Sequence, residues 1–266
     1  MSFPQSTVAQ IADSERVMIQ TASARYGEFY ETALSAGLLL TQYLKSVDRS
    51  RWVFTNFQAL AKQHIMLAVF STVRLHKVQA MMDLRQAVEA GACAAYAIAN
   101  PDHTHFVDAD EHGILDPSQK LARKRNKWLD QNYPDASKAI QGIKEKINAT
   151  TAHANLISAY GMSEANETDG WFSEPFFDKE DAHFGKTDLW MIANAALTLM
   201  HVFFEVNEKV QVLKFVENFW PSIQALGERN EALRQEMMRT DRFKRAEALE
   251  QVRQTAQQES YGAPSR

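Results

Sequence analysis

Met81-Met-Asp-Leu-Arg-Gln-Ala-Val-Glu-Ala-Gly-Ala-Cys-Ala-Ala-Tyr-Ala-Ile-Ala-Asn-Pro101 is the stretch that decides the fold. Its stripe is Met81, Leu84, Val88, Gly91, Ala95 and Ile98, spaced 3-4-3-4-3. That recurrence puts all six on one face of an α-helix, because 3.6 residues make a turn. Gly91 and Ala95 carry almost no side chain, so the stripe predicts close approach by a neighbouring element. Asn100-Pro101 ends the helix, since proline disfavours helical geometry in the residue before it.

The same period extends in both directions. Ile140, Ile143, Ile147, Thr150, Ala154 and Ile157 repeat the 3-4-3-4-3 spacing and predict a helix over 135–160, stopped by Gly161. Upstream, apolar stripes predict a long first helix over 13–45, bent at Gly27 or Gly37, and a second over 51–73. Downstream, residues 118–132 form a fourth helix, and one after Gly185 runs through Leu189, Ile192, Ala196, Leu199, Phe203 and Val206 to Leu213. Trp220-Pro221 interrupts the pattern, and a more polar helix over 222–257 closes the chain. Residues 164–181 hold seven acids and two aromatic pairs, Trp171-Phe172 and Phe176-Phe177, and predict a short hairpin pinned on the helices. The expectation is an all-α, single-domain bundle of about seven helices over 7–225, with a closing helix over 226–257 and a loose tail over 258–266.

Composition narrows the classes. Only 10 glycines and 7 prolines occur in 266 residues, too few turn-formers for a many-stranded β protein. One cysteine, Cys93, rules out an internal disulfide framework and a multi-cysteine zinc site, and its Ala-rich surroundings predict a small buried residue. The first residues carry no basic segment followed by an apolar one, so no secretory signal is expected. Leu189–Val206 is interrupted by Asn194 and His201 and reads as a buried core helix, not a membrane span. A cytoplasmic protein without a membrane partner is the expectation. The net charge of −4 gives no global reason to bind nucleic acid, although charge is uneven along the chain.

Candidate chemistry is sparse. A phosphate-cradling glycine loop, a Gly-x-Ser-x-Gly elbow, a His-Glu-x-x-His motif and the paired Glu-x-x-His of di-iron bundles are all absent from the sequence. No cofactor and no metal are expected. Asp102–Pro117 gathers five acids and three histidines and reads as a solvated loop, with metal binding the weaker alternative. His153 is the one candidate acid or base; Lys146 and Thr150 share its helical face, and Asn148 lies half a turn away. The alternative is a helix-interface histidine. Arg85 and Glu89 stand four apart beside the small-residue stripe, a spacing that pairs them and brings them toward His153. Lys120, Arg123, Lys124, Arg125 and Lys127 put five positive charges in eight residues and read as a solvated face or a phosphate-binding patch. The apolar seam of the last helix between alternating charges suits a homodimer arm, or packing back on the bundle.

Residues 82–92, Tyr96, Asn100-Pro101, Tyr133-Pro134, Thr151-Ala-His153-Ala-Asn155 and Phe176-Phe177-Asp178 together resemble a loosely defined group of bacterial all-helical proteins of unknown function, themselves similar to HEPN domains (the higher eukaryote and prokaryote nucleotide-binding helical bundles). The resemblance spans about residues 80–205. It implies a helical bundle and, in many HEPN members, a metal-independent ribonuclease whose signature is an arginine, a polar residue and a histidine four to six residues after that arginine. His153 and Asn148 match that pattern; Lys146, seven before His153, stands nearest to the place of the arginine, which this chain lacks. The resemblance therefore implies a binding or interaction role, with an endoribonuclease or toxin-like RNA-binding protein as the alternative.

Overall fold

In a computed structural model, the structure describes residues 7–150, 164–166, 171–173, 176–245 and 247–248. It is all-α in class. The chain begins with α1 (Val8–Gln20), α2 (Ala22–Tyr26) and α3 (Glu28–Gln42). These replace the single bent helix expected over 13–45. The break at Gly27 has a plain cause: its φ of +55° and ψ of −135° lie outside the helical region and cost a glycine little. Gly37 stays helical and buried, where an added Cβ would fall 2.7 Å from the Met66 sulfur.

Strand β1 (Leu44–Val47) leads into α4 (Trp52–Val73), and α4 folds back on α5 (Lys77–Ala99) as an antiparallel pair. The turn between them holds Leu75 at φ +61°, an unusual value for a branched-chain residue. Almost every α5 residue from Ala87 to Ile98 is buried, as its continuous run of small and aliphatic side chains demands. The segment expected as a loop over 102–117 instead contains a short hairpin, β2 (Val107–Ala109) paired with β3 (Leu115–Pro117), turned at Gly113 with φ +76°.

Helices α6 (Leu121–Asn132) and α7 (Pro134–Thr150) then pack over α5. Residues 151–160, expected as the second half of that fifth helix, lie outside the described residues. The hairpin expected within 164–181 is present as β4 (Glu164–Asn166) and β5 (Trp171–Ser173).

The core helix α8 (Ala182–Val210) follows. It is long and apolar enough to cross a membrane by length and composition. Leu189, Ile192, Ala196, Leu199, Phe203 and Val206 are each at most 1% exposed inside the bundle. The helix starts at Ala182, ahead of Gly185, because the Asp181 carboxylate accepts from the His183 N–H as its cap. Leu213, expected on this helix, lies in β6 (Leu213–Phe215), which pairs antiparallel with β1. Asn207 makes that exit, its side chain bonding Val212 N, Leu213 N and Leu213 O. Pro221 does not interrupt a helix: it sits in the first turn of α9 (Phe219–Arg239), where no N–H partner is lost. Through Phe219, Ile223, Leu233 and Met237, α9 packs back on α3 and α8. Residues 249–266 lie outside the described residues.

Candidate functional site

Three helices converge where α6 and α7 cross α5. The (i, i+4) spacing of Arg85 and Glu89 sets both on one face of α5, and the same spacing sets Lys144 and Asn148 on the facing side of α7. Arg85 Nη1 donates to Asn148 Oδ1 at 2.7 Å, and Arg85 Nε reaches Glu89 Oε1 at 3.4 Å. Lys144 Nζ lies 3.3 Å from the same Glu89 oxygen. Lys146 and Asn148 are exposed on α7. His153, and with it the expected meeting of Arg85 and His153, lies outside the described residues.

Arg125 completes this seam from α6. Leu121, Arg125 and Leu129 follow one another at four-residue intervals along the face turned to α5, so Arg125 is buried at 6% exposure. Its guanidinium donates to Cys93 Sγ at 3.1 Å, to the Glu89 carbonyl at 3.5 Å and twice to Asn126 Oδ1 at 3.0 and 3.1 Å. None of these acceptors is a carboxylate. Burial pushes the Cys93 thiol up, and the guanidinium beside it works the other way. The Glu89 carboxylate is shared by two cations, Arg85 and Lys144, while its main-chain carbonyl accepts from a third, Arg125. A buried cation without a counter-ion is costly, so Arg125 stands out among the described residues of the seam as the one buried guanidinium held by neutral acceptors alone.

The other four members of the basic run, Lys120, Arg123, Lys124 and Lys127, are exposed. The structure thus splits the run: one arginine turns inward to the seam and four charges face solvent. Of the sequence candidates, Arg85, Glu89, Asn148 and Arg125 come together. Lys144 was missed, although its four-residue step to Asn148 would have placed it. Cys93, read as a filler, is the acceptor of a buried arginine.

A second charged cluster surrounds the start of α5. His76 Nε2 lies 2.8 Å from Glu15 Oε1, and Arg74 Nη1 lies 3.4 Å from the other oxygen of Glu15. The Asp178 carboxylate accepts from the Lys77 N–H, while its own N–H donates to the Leu75 carbonyl at 2.9 Å. Phe176 and Phe177 flank the His76 ring at 5.4 and 5.5 Å. Lys77 Nζ lies 3.9 Å from Asp188 Oδ2 and 4.3 Å from the Phe184 ring centre. Burial pushes the Asp188 carboxyl up to about 6, with Lys77 opposing the rise and Asp178 adding to it. Nearby, Asp83 holds His64 Nδ1 at 2.8 Å. This cluster is how residues 176–181 are pinned.

The histidines of 102–117 do not converge. His105 Nδ1 lies 3.2 Å from the Tyr96 hydroxyl, while His103 and His112 are exposed. Among the described residues, no group of three metal-ligating side chains gathers. No family model, no curated protein and no solved structure matches the chain.

Proposed function

We propose that this all-α bundle is a non-enzymatic, HEPN-like binding protein that takes a phosphate-bearing partner, RNA, on the seam of α5, α6 and α7. The observation that supports this most is the charge imbalance there: Arg85 and Lys144 share the Glu89 carboxylate, and Arg125 is buried against acceptors that carry no formal charge. A phosphate oxygen supplies the missing charge, and arginine's planar fork suits it. Lys120, Arg123, Lys124 and Lys127 extend the positive surface along α6, as a polyanion requires. The test is fluorescence polarisation with a labelled single-stranded RNA at several salt concentrations. Salt-sensitive binding that falls at least tenfold in Arg85→Ala supports the reading. Binding that ignores both salt and this substitution overturns it.

One observation favours a second reading, a metal-independent endoribonuclease of the HEPN type. Arg85 Nη1 donates to Asn148, which lies five residues before His153, so α5 lends a guanidinium to a signature that lacks one on α7. In that reading His153 gives and takes the proton and Arg85 holds the scissile phosphate. Incubation with total RNA in the presence of chelator discriminates. Cleavage that persists with chelator and disappears in His153→Ala establishes the nuclease; intact RNA leaves the binding role.

A further inference from the structure

A groove of about 930 Å3 opens between the start of α7, the second half of α8 and the start of α9, and none of the seam residues lines it. Its volume is that of a small-molecule site. Leu197, Val202 and Ile223 make the walls apolar. Trp220 stands at the rim, 42% exposed yet held in place. Its ring centre lies 4.4 Å from that of Phe204 and 5.6 Å from that of Phe219, so one indole face is fixed by packing and the rest is presented to solvent. A large aromatic surface fixed in this way loses little conformational freedom when something covers it.

The charges decide what fits. Asp135 and Glu205 line the groove, together with the neutral polar groups of Thr198 and Gln224, and among the described residues no lysine or arginine does. His201 packs its ring 5.9 Å from Trp220 and lies 3.4 Å from Glu205. Two helix starts at the groove each add roughly half a positive charge. Two carboxylates outweigh them by about one charge. An anion is therefore disfavoured, and a cation gains both the carboxylates and the electron-rich indole face.

We infer that this groove binds a small organic cation, an amine or quaternary ammonium with an apolar body. The ammonium lies against Trp220 and Glu205, and the apolar body lies along Leu197, Val202 and Ile223. This inference stands apart from the RNA reading, since it uses different residues and a ligand of opposite charge.

The test is titration of the full chain with three probes of equal chain length below their aggregation limits: n-octyltrimethylammonium, n-octanol and n-octanoate. The expected order is ammonium tightest, by at least tenfold over octanol, with octanoate weakest. Glu205→Gln, an isosteric change at a half-buried position, weakens the ammonium at least threefold and leaves octanol unchanged. Trp220→Phe weakens the ammonium and not its dependence on Glu205. Equal affinity for octanoate and the ammonium overturns the inference, as does ammonium binding indifferent to Glu205→Gln, or no binding of any probe. Failure of all three probes alongside tight capture of a basic amphipathic peptide overturns it too, and assigns the groove to a protein partner. RNA binding by the same samples reports separately on the seam.

Discussion

The two charged clusters along α5 are built from the same residue types and balance their charges differently. At the start of the helix four carboxylates stand with four basic side chains: Glu15 with Arg74 and His76, Asp188 with the Lys77 ammonium, Asp178 with the Lys77 main-chain N–H, and Asp83 with His64. Arg25 with Glu180 and Arg242 with Asp181 continue the pattern on neighbouring elements. Further along α5 the balance reverses: the Glu89 carboxylate serves both Arg85 and Lys144, and the buried Arg125 has only the Glu89 main-chain carbonyl and neutral side chains. The first cluster closes on itself and fastens residues 176–181. The second sets three basic side chains against one carboxylate. Paired charges do structural work, and an imbalance of buried charge marks where a ligand belongs.

The largest test of this contrast is pH. Asp188 carries a carboxyl raised from an ordinary 3.8 to about 6. The folded state therefore holds this proton more tightly than the unfolded chain does. Its stabilising contribution is fully present below about pH 4 and is lost as pH rises through 6. A rise of this size corresponds to at most ~3 kcal/mol. Urea unfolding at pH 4.5 and 7.5 should show wild type losing about 2 kcal/mol of this relative to Asp188→Asn as pH climbs, the remainder being already lost at pH 4.5. A stability difference between the two proteins that is equal at both pH values breaks the picture of a closed, internally compensated cluster.

Next in size is a crossed pair of substitutions. Arg125→Met removes a buried cation that lacks a carboxylate, so stability should hold or rise by ~1 kcal/mol, while RNA affinity should fall about tenfold or more, the weight of one charge-assisted hydrogen bond. Lys77→Met strips Asp188 of its cation, so stability should fall by ~1–2 kcal/mol with RNA affinity unchanged. Thermal unfolding and polarisation on the same samples read both. If the two substitutions exchange phenotypes, the assignment of lock and site must be exchanged as well.

How far the sequence alone reached follows the same division. The stripe through Gly91 and Ala95 foretold a close neighbour, and α8 supplies it: a Cβ added at Gly91 would fall 2.3 Å from Leu199 Cδ2. Gly91→Ala should therefore cost ~1–3 kcal/mol by overpacking. Leu199→Ala in the same chain should recover part of that cost, and full additivity of the two changes would show that they do not touch. Periodicity reads such contacts because they repeat along one helix. The break at Gly27 was legible as a bend; the pairing of β1 with β6 was not, since it joins residues about 170 apart and rests on three-to-four-residue strands with no alternation to detect. Arg85 with Glu89 was legible from spacing within α5, whereas the partners Asn148, Lys144 and Arg125 depend on how α6 and α7 cross it. The inward turn of Arg125 was recoverable from its register with Leu121 and Leu129, had the basic run been read by helical face instead of by charge density.

That splitting of the basic run leads to the smallest effect and the finest discrimination. Lys124 and Lys127 are exposed on α6, where each offers a polyanion a solvated point charge. Each, changed to Ala, should weaken RNA binding only about twofold to threefold at moderate salt and lower the slope of log affinity against log salt by about one. Arg85→Ala should lower affinity more and change the slope by a similar single charge, because Asn148 and Glu89 hold its guanidinium in place and a fixed planar fork bonds a phosphate more directionally than a free ammonium does. The intercept therefore separates seam from surface where the slope cannot. Should Lys124→Ala and Arg85→Ala prove indistinguishable in both, the seam has no privileged place, and the positive face of α6 acts as a diffuse patch.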